Sequence, residues 1–235
     1  MSLSVVVPCF DEELRIGASL QLLCGVLGQY PSSEWEVLVV DDQSTDATAQ
    51  VVRSAMALEP RITLLATVGR KGKGAAVRVG ALAAVGDAVL VTDADLAGDL
   101  ADLPAMLRAL TAADAVLGSR LLPGAVLEPA RSPGRRAAAL VFRTAVRLAT
   151  PLRVSDPQCG FKVFRREVLQ PHIEMLRTDG YAYEVELLIR LQDGGALLAE
   201  APVTWREGRD SKVRVVYDGA RMLRDLLQAR RMARR

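Results

Sequence analysis

Four short apolar runs constrain the fold of this chain more than anything else in its sequence. Leu3–Val7, Trp35–Val40, Ile62–Ala66 and Val89–Thr92 are rich in β-branched residues and too short for buried helices, so they read as strands covered on both faces. Between them lie stretches of helical spacing: Leu14, Ile16, Leu20, Leu23 and Leu27, then Ala47–Leu58, then Ala75–Val85. Strand and helix alternating in this way predict a largely parallel sheet with right-handed crossovers. Pro8 is expected to end the first strand, and Asp11-Glu12-Glu13 to place negative charge at the start of the first helix. Farther on, Leu100–Leu110 reads as a helix, Ala115–Arg120 as a strand end, Leu121–Pro133 as a loop and Ala196–Val203 as a strand. No stretch qualifies as a linker. Residues 1–235 are therefore expected to form one α/β domain, a single Rossmann-like, mostly parallel twisted sheet flanked by helices.

Composition narrows the partners. Half of the residues (50%) are hydrophobic, enough for a sizeable core. Lys and Arg number 30 against 28 Asp and Glu, a net charge of +2, which argues against a nucleic-acid binder. Cys9, Cys24 and Cys159 are odd in number and lack CxxC spacing, which fits a reduced cytoplasmic compartment without a zinc site or disulfide framework. His172, the only histidine, follows Pro171 and reads as structural, so Ser-His and Cys-His nucleophile pairs are excluded. No basic leader precedes the first strand, and no segment reaches the roughly 18–20 apolar residues that span a bilayer. The basic residues do cluster late: 135–150 and 219–235 read as basic amphipathic helices, either solvated faces or surfaces that lie on an anionic membrane.

The chemistry concentrates at strand ends. Val89–Thr92 runs into Asp93-Ala94-Asp95, two carboxylates one residue apart just beyond a buried strand. Oxygen ligands so placed suit Mg²⁺ or Mn²⁺, and Mg²⁺ usually joins one or two carboxylates to substrate phosphates. In an open α/β sheet, ligands bind beyond the carboxyl ends of the strands. Pro8-Cys9-Phe10-Asp11-Glu12 and Asp41-Asp42 end two other strands, where acidic groups either hold a ribose or simply cap helices. Gly69-Arg70-Lys71-Gly72-Lys73-Gly74 opens a helix and is either a phosphate cradle of backbone N–H groups and Lys73 or a solvated turn. It is neither a Walker A loop nor a GxGxxG fingerprint. Tyr181–Glu186 reads as a helix start with core aromatics.

Taken in order, these pieces resemble an inverting family 2 glycosyltransferase with the GT-A fold. The matching series is Val5-Val6-Val7-Pro8, Glu12-Glu13, Val39–Asp46, Gly72–Arg78, Asp93-Ala94-Asp95 and Gly118-Ser119-Arg120. Asp156–Lys162, Tyr183–Leu188, Val203-Thr204-Trp205 and Ser211-Lys212-Val213 are similar to the dolichyl-phosphate β-glucosyltransferases and their prokaryotic polyprenyl-phosphate relatives. Gln43 stands where that pattern has glycine, Arg70 where it has asparagine, and the membrane helices carried by many relatives are missing.

The resemblance implies roles. Pro8, Phe10, Glu12, Asp41 and Asp42 would hold the base and ribose of a nucleoside diphosphate sugar, with UDP-glucose favoured. Lys73, Asp93 and Ala94 would line the donor, and Asp95, with Asp93, would bind Mg²⁺ or Mn²⁺. Arg120, Arg131, Arg135 and Lys212 would gather the phosphate of a polyprenyl phosphate at the inner membrane face. Asp156 would be the general base if the acceptor were instead a hydroxyl. Residues 1–120 would then be the nucleotide-sugar half and 121–235 the acceptor half. Alternatives are the same donor chemistry on a soluble hydroxyl acceptor, a nucleotidyltransferase, and a non-enzymatic membrane-surface module.

Overall fold

In the computed structural model, which describes residues 1–30, 34–128, 144, 150 and 152–206, each apolar run is a strand: β1 (Leu3–Cys9), β2 (Trp35–Asp41), β3 (Ile62–Ala66) and β4 (Ala88–Thr92). The helices between them are α1 (Ile16–Leu27), α2 (Thr48–Leu58) and α3 (Lys73–Ala83). A 3₁₀ turn at Leu100–Asp102 leads into α4 (Leu103–Ala109), followed by β5 (Ala115–Ser119) and β6 (Val126–Glu128). The remainder comprises β7 (Phe161–Arg165), α5 (Arg166–Glu174), α6 (Tyr183–Asp193), β8 (Leu198–Pro202) and β9 (Thr204–Arg206). The basic helices expected over 135–150 (positions 144 and 150 apart) and 219–235 lie outside the described residues, as do Arg131, Arg135 and Lys212.

The main sheet has seven strands in the order β3-β2-β1-β4-β7-β5-β8. β1 is parallel to β2 and β4, β2 to β3, and β5 to β8. The sheet is thus mostly parallel, with one reversal: β7 runs antiparallel to both β4 and β5. Sequence pattern does not betray β7, because Lys162 and Arg165 interrupt its apolar run. β6 and β9 form a separate two-stranded parallel pair.

Every residue of β1 and β4 is buried, which is why both read as unbroken apolar runs. One core layer packs Ile16, Leu20, Leu23, Val52, Leu103 and Met106 onto the sheet, and the other packs Ala76, Val77, Leu169, Ile173, Leu187 and Leu188 onto the opposite face. Gly80 lets α3 approach β1 closely, since a Cβ there would overlap Val6 Cγ1. β1 does not stop before Pro8 as expected; it continues to Cys9, with Pro8 opposite Val40. The proline is tolerated because the ladder with β4 ends at Val6, so Pro8 is paired on one side only.

Candidate active site

Strand order reverses between β1 and β4, and the acidic residues collect beyond the ends of β1, β2 and β4, where such sheets bind ligands. The loops after β1 and β2 clasp each other. Asp11 N donates to Ser44 Oγ (2.9 Å), Glu12 N to Thr48 Oγ1 (2.7 Å) and Glu13 N to Asp46 Oδ2 (3.1 Å). In return Thr45 N donates to Asp11 Oδ1 and Ala47 N to Glu13 Oε2, both at 2.8 Å. Asp11 and Glu13 are therefore engaged by the neighbouring loop rather than at the start of α1, which begins only at Ile16. Glu12 accepts from Arg15 Nε at 2.8 Å.

The glycine-rich loop, open in the sequence between a phosphate cradle and a solvated turn, is tied down by protein acceptors. Asp42, buried, accepts from Thr67 Oγ1 (2.8 Å), Lys71 N (2.9 Å) and Gly72 N (2.8 Å), while Gln43 Nε2 donates to Thr67 O at 2.6 Å. Gly74 N and Ala75 N donate to Asp179 O at 2.8 and 3.3 Å. The amides of residues 71, 72, 74 and 75 thus already have protein acceptors. Gly72 adopts φ 126°, and its missing Cβ leaves room for Asp179 O, which a Cβ would meet at 2.7 Å. Asp41 accepts from Ser44 N at 3.0 Å and from the Ser44 hydroxyl. Arg70 lies over the Phe10 ring, 3.8 Å from its centroid, as a flat cation–aromatic platform at the rim.

At the end of β4, Lys73 Nζ pairs with Asp93 Oδ1 at 2.6 Å. Burial works against the ammonium, but the charge of Asp93 outweighs it, with Tyr183 and Glu184 adding to that effect, and Lys73 stays protonated far above its usual range. Ala94 is buried, its carbonyl accepting from Ser19 Oγ at 2.6 Å. Asp95 is exposed, and among the described residues its carboxylate accepts one hydrogen bond, from Ala97 N at 3.2 Å. Partial desolvation and the neighbouring Asp93 charge raise its pKa. Among the described residues no three His, Cys, Asp or Glu side chains converge as a metal cage. A nearly unengaged carboxylate beside a second one fits a hard cation whose remaining ligands come from a bound diphosphate and water.

On the other side, Arg120 and Asp156 form a bidentate pair: Nε to Oδ2 at 2.7 Å and Nη2 to Oδ1 at 2.8 Å. The Trp205 ring lies 4.9 Å from the guanidinium. Glu200 braces the loop by accepting from Ser155 N at 2.9 Å and Asp156 N at 3.2 Å. Burial raises the Asp156 pKa, but the Arg120 hydrogen bonds and charge overcome that and hold the carboxyl below the usual range. Arg120 is correspondingly pushed up. A carboxylate so engaged suits the role of charge partner better than that of proton acceptor. Cys159 stays a neutral thiol, its pKa pushed up to about 11 by burial.

The site residues therefore fall into two groups that the loop Asp156–Gly160 brings together. Pro8, Phe10, Glu12, Asp41, Asp42, Lys73, Asp93, Ala94 and Asp95 ring the ends of β1, β2 and β4; Arg120 and Asp156 stand beyond β5. Gly160 joins the groups: a Cβ there would overlap Asp93 Oδ2. Sequence reading passed over Gly160, Lys162, Glu184, Trp205 and Glu200 as site residues. The usable signals were charged residues at inward positions of otherwise apolar segments, Lys162 in β7 and Glu184 in α6.

The family model described as glycosyl transferase family 2 matches residues 4–172. The chain belongs to this family. Curated family relatives include a dolichyl-phosphate beta-glucosyltransferase of Trichomonas vaginalis, 33% identical over 89% of this chain and 65% of its own length. Another, of Saccharomyces cerevisiae, is 30% identical over 96% of this chain and 73% of its own. The chain thus spans 65% and 73% of the length of these two relatives, and 37% of another, glycosyltransferase AglD of Haloferax volcanii, at 31% identity over 95% of this chain. Among solved structures, glucosyl-3-phosphoglycerate synthase from Mycobacterium tuberculosis bound to uridine diphosphate superposes with TM-score 0.70 at 21% identity, over 97% of this chain and 79% of that one. The same enzyme has been seen with Mn²⁺, UDP-glucose and phosphoglyceric acid (TM-score 0.69, 20% identity). This likeness fixes the fold as GT-A.

Proposed function

We propose that this chain transfers glucose from UDP-glucose to a polyprenyl or dolichyl phosphate, with inversion, at the cytoplasmic face of a membrane. Residues 1–120 supply the donor half and 121–235 the acceptor half. One observation carries the reading. The buried Arg120–Asp156 pair is tied to the donor side by one short loop, which starts at Asp156 and ends at Gly160 against the Asp93 carboxylate, and this reading takes an anion gathered by Arg120 to lie near the donor. The relatives named above, at 30% identity or more over most of the chain, support the choice of sugar and acceptor.

The residues divide the work. The Phe10–Arg70 platform and Asp41 hold the base and ribose, while Asp42 keeps the Thr67–Gly72 loop in place. Asp95, with Asp93, would hold Mg²⁺ or Mn²⁺. Bound there, the ion would supply positive charge to stabilise the departing diphosphate. A phosphate monoester oxygen attacks the anomeric carbon as the bond to the UDP oxygen breaks, turning the α-linked donor into a β-linked product. Such a nucleophile is already an anion and needs no general base, which agrees with an Asp156 held by Arg120. Arg120 orients the acceptor phosphate, and Arg131, Arg135 and Lys212 are further candidates for it. Among the described residues no helix is long and apolar enough to cross a membrane.

The test is turnover of purified protein with Mg²⁺ or Mn²⁺, a panel of nucleotide sugars and a short-chain polyprenyl phosphate. Glucosyl-lipid formed from UDP-glucose is the expected product. Glucose transfer to a soluble phosphorylated alcohol with lipid phosphate ignored would replace the acceptor assignment.

A further inference from the structure

Behind Asp93 lies a set of buried charges for which the transfer reaction itself has no use. Lys162 on β7 and Glu184 on α6 are 4% and 6% exposed and pair at 2.8 Å. Lys162 Nζ also donates to the Cys159 carbonyl. Tyr183, next to Glu184 at the start of α6, turns its ring to Lys73, whose Nζ is 5.9 Å from the centroid. Lys73 pairs with Asp93, and Gly160, next after Cys159, abuts that same Asp93 carboxylate. The contacts close a ring: Asp93, Lys73, Tyr183, Glu184, Lys162, Cys159-Gly160, and back to Asp93. Gly160, Lys162, Tyr183 and Glu184 also line one small cavity with Val77 and Val91.

Stability alone does not account for such a pair, because apolar side chains of the same volume commonly serve a core as well or better. What the ring does is locate one carboxylate from two directions. Lys73 draws Oδ1 electrostatically, and the bare Cα of Gly160 leaves just enough space for Oδ2. The Tyr183 ring faces Lys73, and Glu184 holds Lys162, which in turn holds the Cys159-Gly160 backbone. We propose that Lys162 and Glu184 are positioning residues that fix the Asp93 carboxylate for the donor diphosphate, acting through Lys73 and Gly160 without touching substrate. The inference rests on the donor-site reading of Asp93 and Lys73.

The test compares full-length wild type, Lys162→Met, Glu184→Gln and the double variant. Melting temperature is followed alongside calorimetric binding of UDP in the presence of Mn²⁺. Each single variant leaves a buried charge or dipole unmatched, so each melts earlier, and each binds UDP with Mn²⁺ about tenfold more weakly or worse. In the double variant no charge is left unpaired, so most of the melting temperature returns while nucleotide binding stays weak. Recovery of binding together with melting temperature would make the pair structural only and overturn the proposal. So would folded single variants that bind UDP as wild type does. Wild type that fails to bind UDP with Mn²⁺ overturns the donor reading itself, and the inference falls with it. Should Lys162→Met not fold, Glu184→Gln, which keeps the shape of the side chain, decides the matter by the same two measurements.

Discussion

Arg120 grips both oxygens of Asp156, at 2.7 and 2.8 Å, in a place where the two side chains are only 13% and 8% exposed. A bidentate pair this dry fixes the guanidinium plane as well as its charge. It commits Asp156 to Arg120.

Asp156→Asn should accordingly cost about 3–5 kcal/mol of stability at neutral pH, since it strands a buried arginine. The pH dependence has a definite sign. The folded-state pKa of Asp156 is depressed, so its contribution is complete above the unfolded value of about 3.9 and fades as pH falls through the lower folded one. Denaturant melts of both proteins from pH 7 down to pH 2 should show the gap closing only below about pH 4. In turnover assays, Asp156→Asn and Arg120→Lys should each raise the acceptor KM, and the double variant should be no worse than either alone. A base role for Asp156 would instead appear as a kcat loss in Asp156→Asn with acceptor KM unchanged.

Asp42→Ala should loosen the loop from Thr67 to Gly72. Two backbone donors, Lys71 N and Gly72 N, lose their acceptor, while Thr67 Oγ1 keeps the Gly69 carbonyl at 2.9 Å, and the loss costs about 2–4 kcal/mol. Hydrogen exchange should speed up at Lys71 and Gly72 before the sheet amides are affected. If Asp42 instead bound the ribose directly and did nothing for the loop, exchange there would be unchanged while nucleotide affinity fell.

How much of this was legible from sequence depends on the range of the interactions involved. Strands buried on both faces declare themselves, so β1 to β4 were readable from local composition, β3 to the residue. β7 was not, because its place between β4 and β5 depends on a long-range antiparallel pairing and on a lysine whose charge is neutralised 22 residues later by Glu184. The same holds for the site. Asp93 and Asp95 stand at a strand end and could be named from their spacing. Nothing local in Gly69–Gly74 says that its amides are taken by Asp42 and Asp179, and only the fold reveals that Asp156 faces an arginine.

Gly160→Ala tests the seam between the two halves of the site. A Cβ would overlap Asp93 Oδ2, so the carboxylate that Lys73 holds at 2.6 Å has to shift. Overpacking of this kind costs about 1–3 kcal/mol. Displacing the carboxylate should weaken Mn²⁺-dependent UDP binding about tenfold or more. Unchanged UDP affinity in a folded Gly160→Ala protein would mean that Asp93 does not contact the donor.

Asp95→Ala separates chemistry from folding most cleanly. The side chain is exposed and, among the described residues, accepts a single long hydrogen bond from Ala97 N, so melting temperature should reflect a change within about 0.5 kcal/mol. Removing the carboxylate also relieves repulsion with Asp93, which further limits any loss. Metal-dependent function should nevertheless disappear. With no third protein ligand converging on the site among the described residues, Asp93 is left to hold the ion with the diphosphate, and it is already claimed by Lys73. Calorimetry should show UDP binding that no longer responds to Mn²⁺, and turnover should match that of wild type stripped by chelator. Transfer that continues at the wild-type rate in Asp95→Ala, and still falls on chelation, would place the metal on other residues.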